Sequence, residues 1–294
     1  MTGRCSTASR ARGEPLWATA STVQAFLLIE ERGPWGPQIL HSRRLPEAVR
    51  AALVEWQRGL GVRPLLIRRP GRAAPGTARV FVANTRHGWV QRADLNDLAE
   101  VTDLDLSGVR EGDGVGLQPH EEPVLLVCTH GRHDPCCAER GRPLAAALAR
   151  TWPDLVWEAS HLGGDRFAGN LVALPRGDYF GGLGAGSGPG VVESYLDGRI
   201  DPSFHRGRSS QSWVVQAAVQ AVRLETGIVG VDDIVVHQVS GPGPTRRVRL
   251  SALGNPVDAV VRVSVGEAVQ LTCHADAPAS PPSYRVTLES PVGS

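Results

Sequence analysis

In the stretch PVLLVCTHGRHDPCCAER, residues 123–140, a strand, a turn and a helix start follow one another so closely that the local fold is nearly dictated. The apolar run Pro123–Cys128 reads as a buried strand, too short before the next turn signal to be a helix. Asp134 and Pro135 then mark a helix start. An N-cap aspartate accepts free backbone N–H groups, and proline's fixed φ suits the first helical position. Cys128 thus ends the strand, while Cys136 and Cys137 fall in the first helical turn. There, free N–H groups and the positive end of the helix dipole favour a thiolate or an anionic metal cluster. Adjacent helical residues point about 100° apart, so Cys136 and Cys137 are not expected to serve one site equally.

The strand and helix sit in a longer order. Residues 1–20 carry little pattern and are read as a loose N-terminus. A small α/β region follows over 21–105. It has a strand near Val23–Ile29, an amphipathic helix near Pro46–Arg58 with Val49, Leu53 and Trp56 on one face, and short strands at Pro64–Arg68, Arg79–Ala83 and Gly88–Gln91. Residues 106–122 are glycine-rich and read as a linker. A second α/β domain, 123–230, opens with the strand just described. Its helix runs to about Arg150, with Leu144, Leu148 and Trp152 at fourfold spacing. Strands at Leu155–Ser160 and Gly169–Leu174 follow, then helices at Val191–Leu196 and Ser210–Glu225, the last ended by Gly227. From 231 to 294 the pattern is β. Val257, Ala259, Val261, Val263 and Val265 alternate strictly, as do Val269, Leu271 and Cys273, and later Tyr284, Val286 and Leu288. That implies an antiparallel extension on an α/β protein. The strand–helix–strand–strand order occurs twice, which is compatible with a diverged duplication.

Composition narrows the function. With 41% hydrophobic and 21% charged residues among 294, the chain is of globular type. All of its 31 basic residues are arginine, and the net charge is +1. The arginines are not interleaved with aromatics in a run, so a nucleic-acid partner is not expected. Apolar runs reach only about six residues, far short of a membrane span of ~20, and no signal-like apolar segment follows the first arginines. A cytoplasmic protein is expected, in which clustered cysteines suggest metal or redox chemistry before structural disulfides.

A second ligand-bearing segment is SHLGGDRFAGN, residues 160–170. His161 and Asp165 are separated by three residues, and the two glycines among them allow the backbone to fold tightly around a bound group. Together the segments give Cys128-x8-Cys137-x23-His161-x3-Asp165. Cys136, His130 and His133 stand in reserve as ligands.

These residues carry a resemblance. VCTHGRHDPCCAERGRPLA at 127–145 and SHLGGDRFAGNLVALPRGDYFG at 160–181 are similar to the sucrase/ferredoxin-like family, whose C-terminal half resembles the thioredoxin-like [2Fe–2S] ferredoxins. The resemblance implies a thioredoxin-like ferredoxin domain, a [2Fe–2S] cluster, single-electron transfer and redox partner proteins. It maps ligand positions onto Cys128, Cys137 and His161. The family pattern has a second histidine where this chain has Asp165, which becomes the provisional fourth ligand. Arg166 and Asn170 are candidates to hydrogen-bond toward the sulfides or the carboxylate.

Other chemistries fit less well. Two cysteines, a histidine and an aspartate also make an acceptable zinc set, and spacing alone does not separate the two metals. A thiol oxidoreductase, with Cys128 and Cys137 or the vicinal pair cycling to a disulfide, is disfavoured by the absence of a thioredoxin Cys-x-x-Cys. No local motif suggests the paired carboxylates of a glycosidase. The loop GGLGAGSGPG at 181–190 fits G-x-G-x-x-G in no register, and a P-loop needs a lysine. Cys273 is expected in the core of an alternating strand, and His205, His237 and His274 as structural residues.

Overall fold

The computed structural model describes residues 3–71 and 78–289. In chain order the elements are α1 (Cys5–Ala11), β1 (Ala25–Glu30), α2 (Glu47–Gly59), β2 (Val62–Arg68), β3 (Ala78–Asn84), β4 (Trp89–Leu95), β5 (Gln118–Pro119), β6 (Val124–Cys128), α3 (Pro135–Thr151), β7 (Val156–Ala159), β8 (Leu171–Leu174), β9 (Asp178–Phe180), α4 (Gly188–Leu196), β10 (His205–Arg208), α5 (Trp213–Thr226), β11 (Ile234–Ser240), β12 (Thr245–Ala252), β13 (Asn255–Val265) and β14 (Pro282–Glu289). This is an α/β fold with an antiparallel β extension, as expected.

Ten strands form one mixed sheet in the order β10-β9-β8-β6-β7-β2-β1-β3-β4-β5. It contains the same arrangement twice. β1 and β2 are parallel across the α2 crossover, with β3 and β4 added antiparallel beyond β1. β6 and β7 are parallel across α3, with β8 and β9 added antiparallel beyond β6. The halves meet where β2 pairs antiparallel with β7 through Ile67, Arg68, Glu158 and Ala159.

Because successive strand residues point to opposite faces, the apolar runs serve two cores. Phe26, Leu28, Leu126 and Cys128 lie on one face. Leu27 and Ile29 lie on the other with Val49 and Leu53 of α2, and Leu125 and Val127 with Leu144 and Leu148 of α3. The second sheet, β11-β12-β13-β14, is antiparallel. Val248, Leu250, Ala259 and Val261 of this sheet pack on Val215, Val219 and Val222 of α5.

Three local expectations differ from what forms. The stretch read as loose contains α1, which buries Cys5, Ser6 and Ser9, and Ala18 and Ala20 are buried after it. Its buried side chains are small and meet residues far along the chain, so they leave no local apolar period. The glycine-rich stretch after 105 buries Leu106 and Val109 and supplies edge strand β5, which joins it to the sheet. Around Val269–Cys273 there is a single bridge, Val269 to Ala279, within a loop, and Cys273 sits half-buried in a turn. Its alternation lacked an adjacent partner strand.

Candidate metal centre

α3 starts where the Asp-Pro signal places it. Asp134 is the extended N-cap, and its Oδ1 accepts the Cys136 N–H at 2.8 Å. The helix can lie close to the end of β6 because residue 141 is glycine. A Cβ there would overlap the carbonyl oxygen of Cys128. This close approach brings Cys137 to Cys128.

The second segment folds over the same point. Gly163 and Gly164 have φ of +98° and +79°, a region that β-carbons disfavour, and a short 3-10 turn begins at Asp165. Side chains at either position would also collide, at Gly163 with Ser21 and at Gly164 with the Arg206 guanidinium. His161 and Asp165 are thereby turned onto the thiols. Sγ of Cys128, Sγ of Cys137 and a ring nitrogen of His161 all lie within 4.8 Å of one another. The Cys137 thiol donates to Asp165 Oδ1 at 3.1 Å. His161 Nδ1 lies 3.0 Å from the same oxygen but off the line of a hydrogen bond, so this buried nitrogen has no hydrogen-bond partner. Two thiols, an imidazole and a buried carboxylate gathered this closely, with one buried ring nitrogen left without a hydrogen-bond partner, suit a metal ion.

Charge is already separated there. The Cys137 thiol beside it pulls the Cys128 thiol well below its ordinary pKa, and the neighbouring His161 imidazole adds to this. The Cys137 thiol is driven up, first by its contact with Cys128 and then by burial. Burial works against a charged His161, but Asp165 and Cys128 outweigh it and carry the imidazole up to about 9. Burial also opposes ionisation of Asp165, yet the contact with His161 holds its carboxyl below the usual range. A metal ion arriving here meets a thiolate, a carboxylate and two groups that would lose protons to it.

The reserve residues separate cleanly. His130 has both ring nitrogens in use. Its Nε2 faces the Gly36 carbonyl at 2.6 Å, and its Nδ1 accepts the His161 N–H at 3.2 Å, so it supports the site's backbone. His133 donates from Nδ1 to the Pro37 carbonyl at 3.2 Å, and its Nε2 lies 3.9 Å from Asp165 Oδ2. Its ring stacks on His161 at 3.7 Å. His133, His161 and Asp165 form a second compact donor group. Cys136 points elsewhere and touches Cys5 and Cys273.

The two expected hydrogen-bond donors are engaged away from the donor set. Arg166 pairs with Glu14 at 2.6 Å and lies over Phe167. Asn170 donates to the Gly164 carbonyl and accepts from Arg206, holding the loop that presents Asp165. The residue missed in the sequence is Arg206. Fully buried on β10, it donates to Gly163 O and Asn170 Oδ1, each at 2.9 Å, and to Thr19, and burial lowers its pKa to about 10. An isolated arginine 40 residues downstream gave no local signal of this.

One edge of the site reaches the surface. His133 and His161 retain 32% and 24% exposure, in a shallow cleft shared with Pro37, Leu40 and Arg63. No helix among the described residues is long and apolar enough to cross a membrane. A family model described as sucrase/ferredoxin-like matches residues 16–207, while no curated protein and no solved structure matches.

Proposed function

The chain belongs to the sucrase/ferredoxin-like family, and from that premise we propose that it carries one [2Fe–2S] cluster and transfers single electrons. The observation that supports this is the convergence of the Cys128 and Cys137 sulfurs and a ring nitrogen of His161 within 4.8 Å of one another. Cys128 and Cys137 would be thiolate ligands, His161 an imidazole ligand and Asp165 the fourth. When bound, the cluster would supply a one-electron couple. The chain's own residues do the rest. Gly141 sets the approach of the two cysteines, Arg206 and Asn170 hold the Asp165 loop, and the surrounding apolar strands keep bulk water from the thiols. The His133–His161 edge is partly exposed, so a reductase or an acceptor protein would dock over that cleft.

A second reading is zinc. It is favoured by the compactness of the donor atoms, all within 4.8 Å, which suits a single tetrahedral ion. Anaerobic purification with visible absorption, metal analysis and acid-labile sulfide separates the two. Iron and sulfide near two each per chain support the cluster. Zinc without sulfide would replace it with the second reading, and neither metal would reject both.

A further inference from the structure

A second group of soft ligands lies on the other side of the α3 start and uses residues the first centre leaves out. Cys5 begins α1, Cys136 is in the first turn of α3, and Cys273 lies in the loop between β13 and β14. Their three sulfurs are mutually close: Cys5 to Cys136 is 3.6 Å, Cys136 to Cys273 3.4 Å, and Cys5 to Cys273 3.5 Å. Asp134 completes the group, with Oδ2 3.8 Å from Cys5 Sγ. We propose that Cys5, Cys136, Cys273 and Asp134 bind one zinc ion, a structural site distinct from the Cys128–Cys137–His161 centre.

Three observations carry this. First, thiolates at the corners of a tetrahedron with ~2.3 Å zinc–sulfur bonds are roughly 3.8 Å apart, close to what the three thiols already show. Second, Asp134 is completely buried, yet no cationic side chain pairs with it among the described residues. Its oxygens accept neutral donors, the Cys136 N–H at 2.8 Å, the Cys273 N–H at 2.6 Å and the Cys5 thiol at 3.8 Å. A buried carboxylate without a counter-charge is costly, and a divalent cation between it and three thiols supplies one. Third, a disulfide would use two of the three sulfurs and leave both the third thiol and the carboxylate unexplained.

Binding would release three protons, one from each thiol, and set three thiolates and a carboxylate around a doubly charged cation. The Cys5 N–H, 3.4 Å from Cys273 Sγ, and the start of α3 would offset part of the remaining negative charge. The ion would tie the N-terminal helix and the C-terminal loop to the helix that presents Cys137. Cys5 and Cys273 both lie outside residues 16–207, so the family match does not assign this site.

The test uses the full chain with Cys137→Ala, which disables the first centre, prepared in zinc-containing medium without oxidant. One zinc per chain is expected by elemental analysis, with three sulfur neighbours and one oxygen neighbour by X-ray absorption. Adding Cys5→Ala and Cys273→Ser should lower zinc below a tenth per chain. In the otherwise native chain the same two changes should leave the first centre's metal content and spectrum as they were. Should those variants fail to fold, cobalt titration of zinc-stripped Cys137→Ala protein should give one equivalent of thiolate-to-cobalt absorption, reversed by zinc. A metal-free Cys137→Ala protein that takes up no cobalt would overturn the proposal. So would full zinc retention after loss of Cys5 and Cys273, or a disulfide among the three cysteines. Each of these results is independent of whether the first centre holds iron.

Discussion

Cys136 and Cys137 are neighbours in sequence and belong to different clusters. Cys136 Sγ lies 3.4 Å from Cys273 Sγ, whereas Cys137 Sγ lies 3.1 Å from Asp165 Oδ1. The helical turn between them divides the vicinal pair. Cys137→Ser should therefore strip the metal from the Cys128–His161 centre and bleach any visible absorption. Cys136→Ser should leave that absorption within about a tenth of wild type. Elemental analysis and absorption spectra of the two variants check this, and equal loss in both would show the pair acting together.

Gly141→Ala probes how the centre is assembled. The added methyl would run into the Cys128 carbonyl oxygen, which is a backbone atom of a central strand and has little room to give. Overpacking of this kind costs ~1–3 kcal/mol, and the upper end is expected here. The urea midpoint should fall accordingly, and metal retention should fall with it. An unchanged midpoint would mean that α3 and β6 separate easily, contrary to the geometry.

The features legible in sequence are those that neighbours specify. Asp134-Pro135 fixes the start of α3, the apolar run fixes β6, and the glycines before Asp165 imply a tight loop. All three depend on residues within a few positions. Arg206, Cys5 and Cys273 were not legible because their partners are 36, 131 and 137 residues away respectively. The pose of His133 was hidden for a related reason. Its ring is set by the Pro37 carbonyl, in a loop of the other half of the sheet.

Arg206 anchors the loop that carries Asp165, so its shape matters as well as its charge. Lysine cannot reach Gly163, Asn170 and Thr19 together, as the planar guanidinium does. Each buried acceptor left without a donor costs roughly 1–3 kcal/mol. Arg206→Lys should thus lower the denaturation midpoint and speed metal loss to a chelator. A chelation rate equal to wild type would show that the loop holds itself.

Acid sensitivity should come from a network away from both metal candidates. Asp178 is buried and accepts from Tyr195, His205 and Arg208. Burial alone would raise its pKa, but Arg208 and His205 hold it far below the ordinary value. Burial pushes His205 down despite Asp178. For both groups the folded pKa is depressed, so their contribution is present at higher pH and lost as pH falls. His205 acts first, because the unfolded chain takes up its proton below about 6.5 while the folded chain resists. Asp178 follows below about 4. The stability gap between wild type and His205→Gln should therefore narrow as pH drops from 7 to 5, by up to ~1.4 kcal/mol per unit. Denaturant midpoints across that range measure it, and a constant gap would mean that His205 titrates alike in both states.

The identity of the fourth ligand can be read from the reduction potential. If the centre holds a [2Fe–2S] cluster, a carboxylate at 165 leaves it one formal negative charge beyond a two-histidine set, and added negative charge disfavours the incoming electron. Arg206 lies close enough to feel Asp165 and offsets part of this, but it is present in either variant. Asp165→His should therefore raise the midpoint potential in a redox titration. An equal or lower value would reject the carboxylate as a ligand. Asp165→Ala supplies the complementary reading. A bleached spectrum keeps Asp165 in the set, whereas an unchanged one gives its place to His133, whose Nε2 lies 3.9 Å from Asp165 Oδ2. In that case His133→Ala, silent while Asp165 is the ligand, should be the variant that loses the cluster.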